Sequence, residues 1–213
     1  MPSDLVPSNP ASLTTPGKLK SSDHHEAEDP GRYSENWYRW YVLFMLTGLY
    51  TFNFVDRQLL VILQEPIKAD MGLTDTQLGL LSGFAFAVIY VVVGIPIARF
   101  ADKGNRRNIV TVALVVWSGM TAVSGFAQNY LQLLLARIGV AVGEAGGSPP
   151  SHSIISDIFK KEERATALSV YSTGINFGSL IGLLAGGWIA QYMDWRYAFF
   201  AVGIPGILYA IVL

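Results

Sequence analysis

The chain has 213 residues, a formal net charge of −1, no cysteine and three histidines. It is 51% hydrophobic and only 15% charged, with a mean hydropathy of +0.37. Soluble domains carry about a quarter charged residues, so the deficit points to a membrane. This composition excludes a disulfide framework, thiolate chemistry and a cysteine metal site. The near-neutral charge argues against a nucleic-acid partner, and no cofactor is implied.

Residues 1–36 are rich in Pro, Ser, Asp and Glu and hold no apolar run. They read as a disordered cytoplasmic tail, 1–36, ahead of a transmembrane unit, 37–213. His24 and His25 fall in this polar tail, which makes a metal site unconvincing. A secretory signal needs an apolar core of about 7–15 residues near the start. None is present, so the first spanning helix is expected to direct insertion.

Six apolar segments follow, expected as helices over 37–63, 76–99, 108–127, 131–153, 166–191 and 197–213. Each is near the roughly 20 residues that cross hydrocarbon. Trp37, Tyr38, Trp40 and Tyr41 suit an interfacial aromatic belt. Lys and Arg set the orientation. Lys18, Lys20, Arg32 and Arg39 lie before or at the first segment, Arg99, Lys103, Arg106 and Arg107 after the second, and Lys160, Lys161 and Arg164 after the fourth. The opposite side has Lys68 and Arg196. The positive-inside rule puts the N-terminus and both basic connections in the cytoplasm.

Away from the segment ends, four charges fall inside the apolar segments: Asp56 and Arg57 in the first, Arg137 and Glu144 in the fourth. A charge at the bilayer centre costs about 2.5–3.5 kcal/mol even on the lenient insertion scale. Arg137 and Glu144 are seven positions apart, two helical turns, and project from one face. Asp56 lies about 10 Å below the outer end of its helix, and Arg137 about as far below the start of its own. The two can meet if these helices are neighbours, with Glu144 two turns deeper. Gly139, Gly143 and Gly147 recur every fourth residue and leave a wall bare for another helix. The charges are expected on that Gly-rich face, towards a polar cavity. Two alternatives stand: a purely structural ion pair in the fourth helix, or an early end to the first helix with Asp56 and Arg57 among outer headgroups. Pro149 and Pro150 should weaken or kink the fourth helix. Gly174, Gly178, Gly182 and Gly186 give the fifth helix a second close-packing face.

Asp-then-Arg recurs after the second segment (ARFADKGNRR) and after the fifth (AQYMDWRYAF). A three-plus-three inverted repeat would produce this echo.

The first of these stretches resembles the major facilitator loop motif, G-x-x-x-D-(R/K)-x-G-(R/K)-(R/K). Asp102, Lys103, Arg106 and Arg107 match it, while Ala98 and Asn105 replace its glycines. In that family the loop braces the gate between two six-helix halves, its carboxylate capping a helix of the other half. RIGVAVGEAGGSPPSHSIISDIFKKEERATALSVY is similar to the spinster-like branch, through Arg137, Gly143, Glu144, Ala145, Pro149, Ile155, Asp157, Phe159 and Arg164. NFVDRQLL matches the branch's cavity-facing Asp-Arg pair with Asp56 and Arg57. The resemblance runs from about Tyr38 to the C-terminus.

The resemblance implies an all-α membrane protein: six transmembrane helices as a 3+3 inverted repeat, the N-terminal half of a twelve-helix major facilitator fold. Its expected partners are a small-molecule or lipid-like substrate, protons, membrane lipid and a missing C-terminal six-helix half. The implied function is secondary transport of an organic anion or amphiphile, coupled to protons at Glu144 and Asp56, with Arg57 and Arg137 beside them. The implied gating residues are Asp102, Lys103, Arg106, Arg107, Asp157 and Arg164. The implied location is the bacterial inner membrane. In the drug–proton antiporter motif Gly-Pro stands in the fifth helix; here Gly182 precedes Leu183. No phosphate-binding G-x-x-x-x-G-K-(S/T) loop occurs, which argues against ATP drive.

Two other function classes compete. An intramembrane enzyme would need a nucleophile–base pair, but Ser151, His152 and Ser153 are adjacent and point about 100° apart on a helix. A scaffold or receptor half would use the glycine faces and leave the four buried charges without a role.

The absence of native cysteine makes the topology directly testable. Lys68→Cys should react with a membrane-impermeant thiol reagent in intact cells, and Lys103→Cys only after lysis. The reverse pattern would overturn the orientation.

Overall fold

The computed structural model describes residues 36–213, with the side chains of 98 and 100–103 outside the described set. The expected tail therefore lies outside the described residues, apart from its last position. All the regular structure among the described residues is helical. The first long helix, α1, runs Asn36–Ile62 and is followed by a short one, α2, Gln64–Met71. A bent span follows as α3 (Asp75–Gly79), a π-helical turn (Leu80–Phe84) and α4 (Ala85–Lys103). Next come α5 (Arg106–Ser124), α6 (Tyr130–Ala145), α7 (Ser148–Ile158), α8 (Lys161–Tyr192) and α9 (Trp195–Val212).

Polar side chains fix where helices begin. Thr74 and Gln77 form a reciprocal capping box at α3. Asn105 and Asn129 accept the backbone N–H three residues ahead of them, and Asp194 accepts that of Arg196. Each satisfies a donor that a helix start leaves unpaired. Gly72 (φ 63°) closes α2 in the left-handed conformation glycine adopts without strain.

Among the described residues, four helices are long and apolar enough to cross a membrane: Asp75–Ile97, Arg106–Ser124, Lys161–Tyr192 and Trp195–Val212. The other two expected spans are those that carry the internal charges. In α1, 27 residues long, stand Arg39, Asp56 and Arg57; α6 has only 16 residues. The fourth expected helix, 131–153, is thus two helices. The chain breaks at Gly146 and Gly147, before the prolines, and Pro149 and Pro150 sit in the first turn of α7, where a missing N–H costs nothing. The fifth helix starts at Lys161, five residues ahead of expectation, because Glu162 and Glu163 suit a helix N-terminus.

Packing centres on α1. All four glycines of the α8 ladder are buried against it. A Cβ at Gly174 would lie 2.9 Å from the Thr47 carbonyl oxygen, at Gly178 2.5 Å from that of Thr51, at Gly182 2.9 Å from that of Val55, and at Gly186 2.8 Å from Ile62 Cγ2. The register rises together on both helices, so α1 and α8 run parallel. The α6 glycines pack on a different neighbour, α5. A Cβ at Gly139 would meet Met120 at 2.5 Å, at Gly143 the Trp117 backbone nitrogen at 2.5 Å, and at Gly147 the Trp117 ring at 3.1 Å. Here the register runs opposite, so α5 and α6 are antiparallel. The expectation that Arg137 and Glu144 share this glycine face is corrected. Gly143 stands about 100° from Glu144 around the helix, and the charges face α1 while the glycines face α5.

Gly178→Ala should lower stability by about 1–3 kcal/mol, since the new methyl meets backbone that cannot fold aside. Gly119→Ala has open space around it, so helix propensity alone should leave it neutral or slightly stabilising. Unfolding in mixed micelles checks the pair; equal effects would deny the close packing.

Candidate functional site

Asp56 and Arg57 are consecutive on α1, so their side chains leave the helix about 100° apart. Each finds its own partner on α6. Arg137 Nη1 donates to Asp56 Oδ2 at 2.7 Å, and both side chains are buried. Thr121 of α5 donates its hydroxyl to Asp56 Oδ1 at 2.8 Å. Both oxygens of Asp56 are thus engaged, and three helices converge on one carboxylate. Arg57 donates through Nε to Glu144 Oε2 at 2.9 Å, and its Nη2 lies 2.8 Å from the same oxygen. Glu144 is fully buried, but the Arg57 side chain remains 36% exposed. Glu144 Oε1 and Arg137 Nε are buried and find no hydrogen-bond partner among the described residues.

The site therefore holds one sealed pair and one open pair. The Arg57 guanidinium also lies over three rings, Phe86 at 5.1 Å, Tyr90 at 5.4 Å and Phe54 at 5.6 Å, which screens it partly from water. Arg137 and Glu144, two turns apart on one helix, serve different partners rather than each other.

The basic connections form a second cluster. Arg106, at the start of α5, pairs with Asp157 near the end of α7. Arg107 donates to the Leu213 carbonyl oxygen at 3.0 Å and Arg164 to that of Phe159 at 3.1 Å. Asp102 and Lys103 lie on α4 with side chains outside the described set. Arg39, read in the sequence only as an orienting charge, pairs with Glu163 at 2.9 Å and lies 5.4 Å over Phe159, tying α1 to α8. Ser151 donates to the Gly147 carbonyl oxygen at 2.7 Å, and His152 packs edge-on against Tyr171, so neither joins the other as nucleophile and base.

Sequence reasoning missed Thr121, Phe86 and Tyr90. Thr121 left a signal: Ser118, Thr121 and Ser124 recur every third residue in the otherwise apolar second half of α5, and all three are buried. A separate apolar groove of about 820 Å³ lies between α1, α8 and α9, bordered by Trp40, Phe44, Phe177 and Ile181. It does not include the four charges.

Comparison with known proteins decides the family. The profile of the Major Facilitator Superfamily matches residues 46–213. The chain belongs to that superfamily. It is 37% identical over 198 residues to an "MFS-type efflux pump" of Mycolicibacterium smegmatis, covering 93% of this chain and 45% of the relative. It is 29% identical over 161 residues to a "probable L-galactonate transporter" of Escherichia coli, covering 75% and 35%. Among solved structures, it superimposes on an inward-facing, unoccupied bacterial homologue of the human lysosomal transporter spinster. There the TM-score is 0.78 and the identity 39%, over 84% of this chain and 43% of the other. The chain thus spans less than half the length of each relative. As a member of this superfamily it is a multi-pass membrane protein of a transporter family rather than of an enzyme family.

Breaking the sealed pair should be costly. Asp56→Asn leaves Arg137 charged and buried, a loss of about 3–5 kcal/mol. Thr121→Val removes one hydrogen bond to a charged group, about 1.5–3 kcal/mol. Asp56→Asn with Arg137→Gln should be less damaging than Asp56→Asn alone. Detergent-unfolding midpoints measure all three. A double variant as unstable as the sum of its parts would show that the pair does not hold these helices.

Proposed function

We propose that the chain is the N-terminal six-helix half of a proton-coupled secondary transporter that moves an organic anion or an amphiphilic, lipid-like solute. On this reading α1, α3–α4, α5, α6–α7, α8 and α9 are the six spans. They form two inverted groups of three in an inner membrane, with the N-terminus in the cytoplasm. A C-terminal half supplies the other wall of the cavity, because binding sites in such transporters lie at the interface of two repeats. Asp102, Lys103, Arg106, Arg107, Asp157 and Arg164 brace the cytoplasmic gate between the halves.

The open Arg57–Glu144 pair is the observation that carries the proposal. Arg57 has unequal surroundings: two of its nitrogens are held by one carboxylate oxygen, while a third of the side chain stays accessible. An anionic group of a substrate competes with Glu144 for that guanidinium. A proton on Glu144 neutralises the carboxylate and releases Arg57 to the anion. Proton and anion then each raise the affinity for the other, which is the reciprocity that coupling requires. Glu144 Oε1, without a partner among the described residues, is free to take the proton while Oε2 still faces Arg57. Asp56 supports the site, since Arg137 and Thr121 occupy both of its oxygens. A sugar-acid carboxylate, as the name of the galactonate relative suggests, and the acidic head of an amphiphile present the same chemistry to Arg57.

Glu144→Gln keeps the size and hydrogen bonding of the side chain but cannot titrate. In the transporter that carries this sequence, it should reduce accumulation against an imposed pH gradient to the level of empty vesicles, at matched surface expression. Binding of substrate should survive. Accumulation like the parent's, with the same pH dependence, would move the coupling role elsewhere, first to Asp56.

A further inference from the structure

The two ion pairs have a common neighbour that carries no charge. Phe86, on α4, has the Arg57 guanidinium 5.1 Å and the Arg137 guanidinium 5.8 Å from its ring centroid. Phe54 and Tyr90 approach Arg57 alone. Among the described residues, Phe86 is the ring that touches both cations.

We propose that Phe86 is a positioning residue shared by the two ion pairs, holding the Arg57 and Arg137 guanidinia on one aromatic ring so that a change at Glu144–Arg57 is felt at Asp56–Arg137. The proposal rests on reading these four groups as the coupling site.

An aromatic face is negative and attracts cations, more strongly where water is excluded. Two guanidinia that lean on one ring compete for it. When Glu144 is neutralised, the Arg57 charge loses its carboxylate and draws harder on the ring. Arg137 then depends more on Asp56. The sequence around Phe86 is built to present the ring. The π-helical turn Leu80–Phe84 ends two residues before it. A π turn takes in more residues than an α turn and so shifts the phase of the helix that follows, and such turns recur at functional positions. Beyond it Phe86 and Tyr90, one turn apart, stack as near-parallel plates, with centroids 6.2 Å apart and planes 16° apart. α4 thus meets the charged residues of α1 and α6 with rings. The charged groups facing Glu144 are Arg57 and Asp56 from α1 and Arg137 from its own helix. Tyr90 of α4 and Tyr50 of α1 face Arg57.

The test uses the transporter that carries this sequence, in lipid nanodiscs, with two readouts, for Phe86→Leu and Phe86→Tyr. Leucine fills space without an aromatic face; tyrosine keeps the face. In the first readout, nitrogen-15 resonances of the arginine side chains report on the ring directly. Phe86→Leu should move those of both Arg57 and Arg137, and Phe86→Tyr should leave both close to the parent. Movement at one arginine only, or at neither, overturns the shared role whether or not Glu144 titrates. The second readout follows the Glu144 carboxyl by carbon-13 resonance against pH, with and without Asp56→Asn. Asp56→Asn should shift the Glu144 midpoint in the parent and in Phe86→Tyr, and in Phe86→Leu only the smaller part that the Asp56 charge exerts directly should remain. An equal shift in Phe86→Leu overturns the communication through the ring while the coupling site stands. A Glu144 that does not titrate in the parent defeats the coupling reading instead, and the arginine resonances still decide the role of Phe86.

Discussion

The structure depends on the pairing of four charges that apolar helices would otherwise reject. At about 2.5–3.5 kcal/mol each, four unpaired charges would cost about 10–14 kcal/mol in the bilayer. That is comparable with the net stability of a whole domain. Two arginine–carboxylate pairs remove most of that cost, and both pairs join the same two helices, α1 and α6. The pairing explains why these helices must be neighbours. It also fits the position of α1 outside the helices apolar enough to cross a membrane among the described residues.

α1 consequently has neighbours on several sides, while Phe44 and Val61 stay exposed. One side is given to α8, whose glycines bring the two backbones into contact along their lengths. Another side presents Asp56 to α5 and α6, and a third turns Arg57 towards α4 and α6. Each neighbour contributes a different chemistry: bare backbone from α8, a hydroxyl from α5, charges from α6, rings from α4. The rigidity of the α1–α8 contact gives the ion pairs a fixed platform.

Much of this was legible in the sequence where a single period governs. Counting residues inward from each helix end placed Asp56 and Arg137 at one depth, and the structure brings them to 2.7 Å. The four-residue spacing of the α8 glycines announced a close helix contact, which α1 provides. What needed a second helix for its meaning was not legible. Arg137 and Glu144 share a face, yet nothing within α6 shows that they take separate partners on α1. The α6 glycines lie near the charges in sequence but about 100° away around the axis for Gly143, and only the position of Trp117 reveals which neighbour they serve. The break at Gly146–Gly147 was shadowed by the adjacent prolines, which attract attention as breakers but fit comfortably in a first turn. Phe86 was invisible because an aromatic residue in an apolar helix matches the lipid as well as it matches an arginine.

The two pairs are alike in chemistry and differ in accessibility, which suits them to different parts in the coupling proposed above. At Asp56 every oxygen is bonded and the surrounding protein excludes water, so any rearrangement there first breaks charge-assisted hydrogen bonds in a low-dielectric setting. At Arg57 the cation is partly open, and Glu144 keeps an oxygen without a partner among the described residues. On the coupling proposed above, exchange of a proton or an anion would disturb the second pair with less loss of bonding than the first. A switch needs a part that changes and a part that does not. Asp56–Arg137 fixes α1 against α6, and within that fixed frame Arg57 can leave Glu144 without the helices separating.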